Sequence, residues 1–270
     1  MSVTTTTTAA ARERPLVVRA VRDALAVTWR NLIAYRRVPQ LLVFSTIQPV
    51  IFVLMFRYVF GGAIPIRGPI DYVDFLMPGI FVQTVVFGAI ATAIGLATDM
   101  KSGLMERFRS LPMARSAVLA GRTLADLTRN VFVVLLMVAV GFAVGFRVHT
   151  DSRGLIAGIL LLLLFGYAMS WIFATIGLAV GDPETAQAAA FPLLAPLVFA
   201  SSLFVEVSSM PGWLQPWAEH QPVSVTASAV RYLVLGDKGT TADVWQAIAW
   251  CVGILVVFAP IAVRRYRRAV

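Results

Sequence analysis

Six long apolar runs dominate the chain, over residues 41–60, 76–98, 123–146, 155–180, 188–205 and 244–263. About 20 apolar residues are needed for a helix to cross the hydrocarbon of a bilayer, and each run comes close to that length. The pattern predicts an all-α, polytopic membrane protein with six transmembrane helices. Pro49, Pro78, Pro192, Pro196 and Pro260 interrupt or border the runs. Membrane helices accommodate such prolines as kinks when neighbours satisfy the freed carbonyls.

Ahead of the first run, residues 16–37 alternate differently. Val18, Val21, Leu25, Trp29 and Leu32 recur at helical spacing on one face, and Arg19, Arg22, Asp23, Arg30 and Arg37 on the other. This is the signature of an amphipathic helix lying in the membrane interface, guanidinium heads near phosphates and stems against lipid. Residues 1–15, "MSVTTTTTAAARERP", are polar and lack the apolar core of a signal peptide, which predicts a disordered cytoplasmic tail. Between the fifth and sixth runs, the segment from 205 to 243 holds Trp213, Trp217 and Tyr232, residues suited to the headgroup zone. Its most apolar part, residues 223–235, is too short to span, so one or two short, re-entrant helices are expected there.

Composition agrees with the pattern. Hydrophobic residues make up 59% of the 270 and charged residues only 14%, well below the quarter usual for soluble domains. The net charge of +9 points first to nucleic acid, but the distribution of basic residues removes that reading. With the N-terminus inside, most Lys and Arg fall in the tail and first helix, in residues 101–129 and in the terminal "RRYRR". The positive-inside rule then places both termini in the cytoplasm, with basic flanks facing anionic lipid and no nucleic acid implied. One cysteine, Cys251, and two distant histidines, His149 and His220, provide neither a disulfide framework nor a metal site.

The second and third runs are joined by a charged, proline-broken stretch, "DMKSGLMERFRSLPMARSAVLAGR". Met100, Leu104, Phe108 and Leu111 share one helical face there, with Lys101, Glu106, Arg107 and Arg109 around the rest. Two readings fit: a connector whose charges only set topology, or a short helix that presents an apolar ridge and a charged rim to a partner.

Residues 72–130, "YVDFLMPGIFVQTVVFGAIATAIGLATDMKSGLMERFRSLPMARSAVLAGRTLADLTRN", resemble the type-2 ABC exporter permeases, and most closely their actinobacterial daunorubicin-resistance subgroup. The most specific part is "ERFRSLPMARSAVLAGR"; "RNLIAYRRVPQLLVFSTIQPVIFVLMFRYVFGGAI" and "WAEHQPVSVTASAVRYLVLG" resemble the first span and the external element before the last span. The resemblance runs from Thr28 to Gly236. It implies a permease domain over 16–270 and a cytoplasmic coupling helix at 103–111 that seats in a groove of an ATP-binding subunit. Gly103, Leu104, Glu106, Arg107, Phe108, Arg109 and Leu111 would form it, Glu106, Arg107 and Arg109 making polar contacts and Phe108 the apolar one.

Such an exporter needs an ATPase, and no G-x-x-x-x-G-K-[ST] occurs in this sequence. ATP and magnesium would therefore be handled by the partner subunit, and this chain binds no cofactor of its own. Six spans are half of the family's usual core, which implies a second permease, a copy or a similar chain. The expected cargo is an amphipathic drug, antibiotic or similar small molecule carried out across a bacterial plasma membrane. A lipid or lipid-linked glycan of the cell envelope would leave the same features. A membrane enzyme is disfavoured by the lack of a nucleophile elbow or H-E-x-x-H, and a channel by the lack of a midplane charge motif.

Polar residues inside the runs cost energy in lipid and mark either packing or a pathway. Gln48 and Gln83 are candidates for a substrate path, with Phe52, Phe87, Phe191 and Phe199 as its aromatic lining. Asp126 and Arg129, three apart, are expected to pair within one helix. Gly141 with Gly145 and Gly177 with Gly181 form G-x-x-x-G patterns, read as close helix packing or a dimer seam. Glu206, Glu219, His220 and Arg231 fall in the external segment, as exit-gating groups or as solvated loop charges.

Overall fold

The computed structural model describes residues 16–37, 40–60, 71–104 and 115–269, and every regular element among them is helical. In chain order these are α1 (Leu16–Arg37), α2 (Gln40–Leu54), a π-helical turn (Met55–Phe60), α3 (Tyr72–Gly88), α4 (Ile90–Lys101), α5 (Arg115–Val144) and α6 (Ser152–Val180). They continue with α7 (Pro183–Phe199), a 3-10 turn (Val207–Ser209), α8 (Gln215–His220), α9 (Pro222–Leu235) and α10 (Thr241–Ala269). Among the described residues four helical stretches are long and apolar enough to cross a membrane: Tyr72–Lys101, Leu119–Val144, Ser152–Val180 and Thr241–Arg268. The chain is a multi-pass membrane protein.

The centre of the bundle is α3, whose residues 72–86 are all buried. A helix that is apolar all round belongs inside a bundle, and α3 is enclosed by α2, α5, α6 and α9. Its glycine at 79 permits a close approach of backbone: a Cβ there would lie 2.2 Å from the Leu203 carbonyl oxygen. The predicted second span is present but broken. α3 stops at Gly88, Ala89 forms a turn, and α4 resumes at Ile90.

α1 packs along α5 through a face that the two-faced reading of the sequence missed. Ala24, Val27, Thr28 and Asn31 are buried, while Leu25 and Trp29 of the predicted apolar face are exposed. Thr28 Oγ1 donates to the Gly121 carbonyl at 3.0 Å, and a Cβ on Gly121 would meet the Ala24 carbonyl at 2.5 Å. α1 therefore has three faces: one docked on protein, one charged, and one apolar and uncovered.

At the far end of the bundle from α1, α8 and α9 are the two short helices expected from the sequence. α9 begins at Pro222 and ends on Gly236, whose φ of 73° closes the helix in the left-handed region. His149 and Thr150 of the α5–α6 loop donate backbone N–H groups to the Val234 carbonyl, tying that loop to the end of α9.

Arg231 corrects the expectation for this segment. It is 1% exposed, neither a solvated loop charge nor a group at an open exit. Its Nε donates to the Phe75 carbonyl at 3.0 Å, its Nη2 donates to the Ser202 and Leu203 carbonyls at 2.8 and 3.0 Å, and the guanidinium lies 3.7 Å over the Phe75 ring. The side chain staples α9 to α3 and to the turn after α7. Glu206 forms an ion pair with Lys238 at 2.7 Å, and Glu219 and His220 are exposed.

Candidate functional site

The break between α3 and α4 shapes the site. In an unbroken helix the Thr92 N–H would bond the Gly88 carbonyl, but it bonds Ala89 instead at 3.0 Å. The freed Gly88 carbonyl is taken by Arg129 Nη2 from α5, which also donates to Asn130 Oδ1 at 3.3 Å. A Cβ at 88 would stand 2.9 Å from Asn130 Oδ1 and 3.2 Å from Arg129 Nη2, so a larger residue there would displace the ends of those two side chains. Arg129 thus partners backbone and not Asp126, contrary to the pairing expected from their spacing. Asp126, fully buried, accepts from Thr92 Oγ1 at 2.6 Å and stands 3.9 Å from Arg122 Nε one turn earlier.

A cavity of about 510 Å³ opens beside this break. Gln48 and Pro49 of α2, Gln83, Thr84, Phe87 and Gly88 of α3, Ile90, Ala91 and Ile94 of α4, Arg129 of α5 and Gln187 of α7 line it. A second cavity shares Gln48, Phe87, Ile90 and Gln187 and adds Glu184, Ala188 and Phe191. The two adjoin at these common residues. Gln83 is 2% exposed and its Oε1 has no hydrogen-bond partner, so its carboxamide is not fully spent on packing. The walls are apolar and aromatic with a few polar groups, the composition of small-molecule sites.

The structure therefore brings Gln48, Gln83, Phe87 and Phe191 of the candidate path to two adjoining cavities, with Gln48 and Phe87 in both. Phe52 and Phe199 are elsewhere, lining neither cavity. Phe52 stacks on Phe56 and Phe204 at 6.0 and 6.3 Å between ring centroids, and Phe199 lies 6.3 Å from Phe204. Sequence reasoning did not foresee Arg129, Thr84 or Gln187 at the cleft. Gln187 carried the same signal as the other glutamines, a carboxamide near an apolar run.

Beside the cleft, a charged cluster flanks the joining stretch. Asp99 Oδ2 near the end of α4 is 3.4 Å from Arg122 Nη1 of α5 and 3.6 Å from Arg30 Nη2 of α1. Lys101 Nζ donates to Asp182 Oδ1 at 2.7 Å. Asp182 also caps α7 by accepting from the Thr185 N–H at 3.1 Å. These hydrogen bonds, that from Lys101 foremost, hold its carboxyl down at about 2. Ser102 and Gly103 form a turn after α4, and Leu104 beyond it is again helical; Glu106, Arg107, Phe108, Arg109 and Leu111 lie outside the described residues.

A multi-pass helical protein with a central broken span, a polar-lined cleft and a charged inter-span stretch is of the transporter class. The ABC-2 type transporter family matches residues 22–235, and the chain belongs to that family. It is 38% identical to a daunorubicin resistance ABC transporter permease protein of Streptomyces coeruleorubidus, over 97% of this chain and 92% of that protein. It is 28% identical to a probable doxorubicin resistance ABC transporter permease protein of Mycobacterium tuberculosis, over 92% of this chain and 90% of that one. A putative transport permease of Pyropia yezoensis is 25% identical over 88% of this chain and 83% of its own length.

Proposed function

We propose that this chain is the membrane subunit of an ATP-driven exporter that moves an amphipathic drug, antibiotic or similar small molecule out across a bacterial plasma membrane. The observation that carries this reading is the cleft: polar side chains from α2, α3, α5 and α7 converge with Phe87 and Phe191 on two adjoining cavities inside an apolar bundle. The relatives named for daunorubicin and doxorubicin resistance support an amphipathic cargo.

ATP and magnesium are bound by a separate subunit. Residues 103–111 are the coupling segment on which that subunit acts, through Gly103, Leu104, Glu106, Arg107, Phe108, Arg109 and Leu111. Their place directly after Asp99 and Lys101 supports this, because any displacement there reaches α1, α5 and α7 through the ion pairs of those two residues. Two permeases, copies or similar chains, enclose the pathway. Each has six spans, the four long ones together with α2 and α7, and both termini are cytoplasmic. α1 lies in the interface with Leu25 and Trp29 in lipid, and α8 and α9 re-enter from outside. The cargo enters the cleft from the inner side, and closure of the ATPases drives the bundle to release it outward.

The test is co-purification from membranes in gentle detergent followed by an ATPase assay and efflux of doxorubicin from vesicles. A P-loop subunit should accompany this chain, and Glu106→Ala with Arg109→Ala should leave insertion intact while abolishing efflux. Recovery without any ATPase, or efflux unchanged by the double variant, overturns the reading.

A further inference from the structure

The inner end of α10 carries a feature that export does not use. Arg264, Arg265 and Arg268 line a cavity of about 210 Å³ together with Ile261. The basic groups deeper in the bundle are engaged by protein: Arg122 by Asp99, Arg129 by Gly88 and Arg231 by three carbonyls. Among the described residues no carboxylate lies within ion-pair distance of Arg264, Arg265 or Arg268. Among the described residues, therefore, the three guanidiniums form a cationic site without a paired carboxylate.

The helix is held so that this site faces outward. Ala262 and Tyr266, both buried, dock in a cluster with Leu96, Leu119, Trp171 and Leu178. On the other side Val257, Ile261, Arg264, Arg265 and Arg268 follow at i, i+4, i+7, i+8 and i+11, a single helical face. Val257 and Ile261 are 52% and 36% exposed. An apolar stripe thus runs without interruption into three arginines at the end of a membrane span.

We propose that this face is a binding site for an anionic phospholipid, the phosphate seated among Arg264, Arg265 and Arg268 and an acyl chain lying along Ile261 and Val257. Guanidinium groups match phosphate oxygens through paired N–H donors, and basic residues next to a span gain from anionic headgroups. A soluble acidic protein would satisfy the arginines but leave Val257, one turn further into the apolar run, uncovered. The site stands independently of the cargo and of the ATPase.

Binding to the purified full-length chain is measured by native mass spectrometry with short-chain phosphatidylglycerol, short-chain phosphatidylcholine and inorganic phosphate as probes. Phosphatidylglycerol should be retained at least tenfold better than phosphatidylcholine. Arg264→Gln, Arg265→Gln and Arg268→Gln together should erase the difference. Should that triple variant fail to fold, Arg265→Gln alone should lower the preference several-fold, while Arg267→Gln, off this face, leaves it unchanged. Equal retention of the two lipids by the unmodified chain overturns the proposal. So does an effect of Arg267→Gln as large as that of Arg265→Gln, which would mean diffuse attraction, or displacement of the lipid by phosphate at equal concentration, which would mean a free-anion site.

Discussion

Arg122 and Asp99 face each other from the two helices that the charged stretch joins, Nη1 to Oδ2 at 3.4 Å. Arg30 of α1 reaches the same carboxylate oxygen at 3.6 Å. One aspartate therefore links α1 to both helices that flank the segment proposed for coupling. The Arg122 guanidinium is also laid across Gly95, where a Cβ would fall 1.5 Å from Nη2.

Asp99→Asn removes the charge that both arginines share. Gly95→Ala pushes away the flexible end of Arg122 without touching Asp99. Both variants should insert normally and retain ATPase activity in complex with the partner, while efflux falls at least several-fold. Efflux per ATP hydrolysed is the quantity to measure. If Asp99→Asn transports as well as the unmodified chain, the cluster only holds α1 in place.

Arg231→Met should destabilise the fold severely. It removes the donors to Phe75, Ser202 and Leu203 in a region without access to water. Losing these three buried hydrogen bonds costs about 3 kcal/mol in total at roughly 1 kcal/mol each. Arg231→Lys should recover only part of this, because an ammonium does not reproduce the planar fork that reaches three acceptors. Thermal unfolding in detergent should show a lowered midpoint for both, and an unchanged midpoint for Arg231→Met would refute the staple.

The contrast between these two sites shows what the sequence made legible. The apolar runs and the amphipathic α1 could be read because membrane spans impose length and polarity on contiguous residues. Gln48 and Gln83 could be flagged one by one, as carboxamides in apolar runs, but their meeting at one cleft depends on how α2 packs beside α3. Arg231 was unreadable because its partners are carbonyls, which carry no sequence signal, and one of them is 156 positions away. Asp126 misled through its spacing from Arg129. The break at Ala89 released a carbonyl for Arg129, and Thr92 from another helix took the carboxylate.

Gln83→Leu separates transport from stability. The Gln83 Oε1 lacks a partner in the fold, so a leucine of similar volume relieves a buried polar group and should leave the unfolding midpoint unchanged or raised. Cargo preference should change, with efflux of a hydroxyl-rich substrate reduced more than that of a purely apolar one. Vesicle efflux with two such substrates and an unfolding curve decide the matter. Lowered stability with unaltered preference would make Gln83 a packing residue.

The two G-x-x-x-G patterns divide by position, and Gly177→Ala tests the division. A Cβ at 177 would lie 2.4 Å from the Ala93 carbonyl oxygen and 2.8 Å from its Cα, both backbone atoms of α4 that have no rotamer by which to yield. Gly141 is more forgiving, because its nearest neighbour is the flexible Met77 Cε at 2.8 Å. Gly181 plays a different part: at φ 72° it closes α6, donating its N–H to the Gly177 carbonyl at 3.0 Å. The pattern at 177–181 is thus one contact glycine followed by one cap, and the contact joins α4 to α6 within a single chain. Gly177→Ala should force these helices apart at a cost of about 2 kcal/mol, the range for overpacking a close contact. Because α4 also carries Asp99 and borders the cleft, efflux should fall with stability, while Gly141→Ala should alter neither beyond a small shift. Cross-linking should show the same fraction of paired permeases in Gly177→Ala as in the unmodified chain; loss of pairing with an unchanged unfolding midpoint would move this glycine to a seam between two chains.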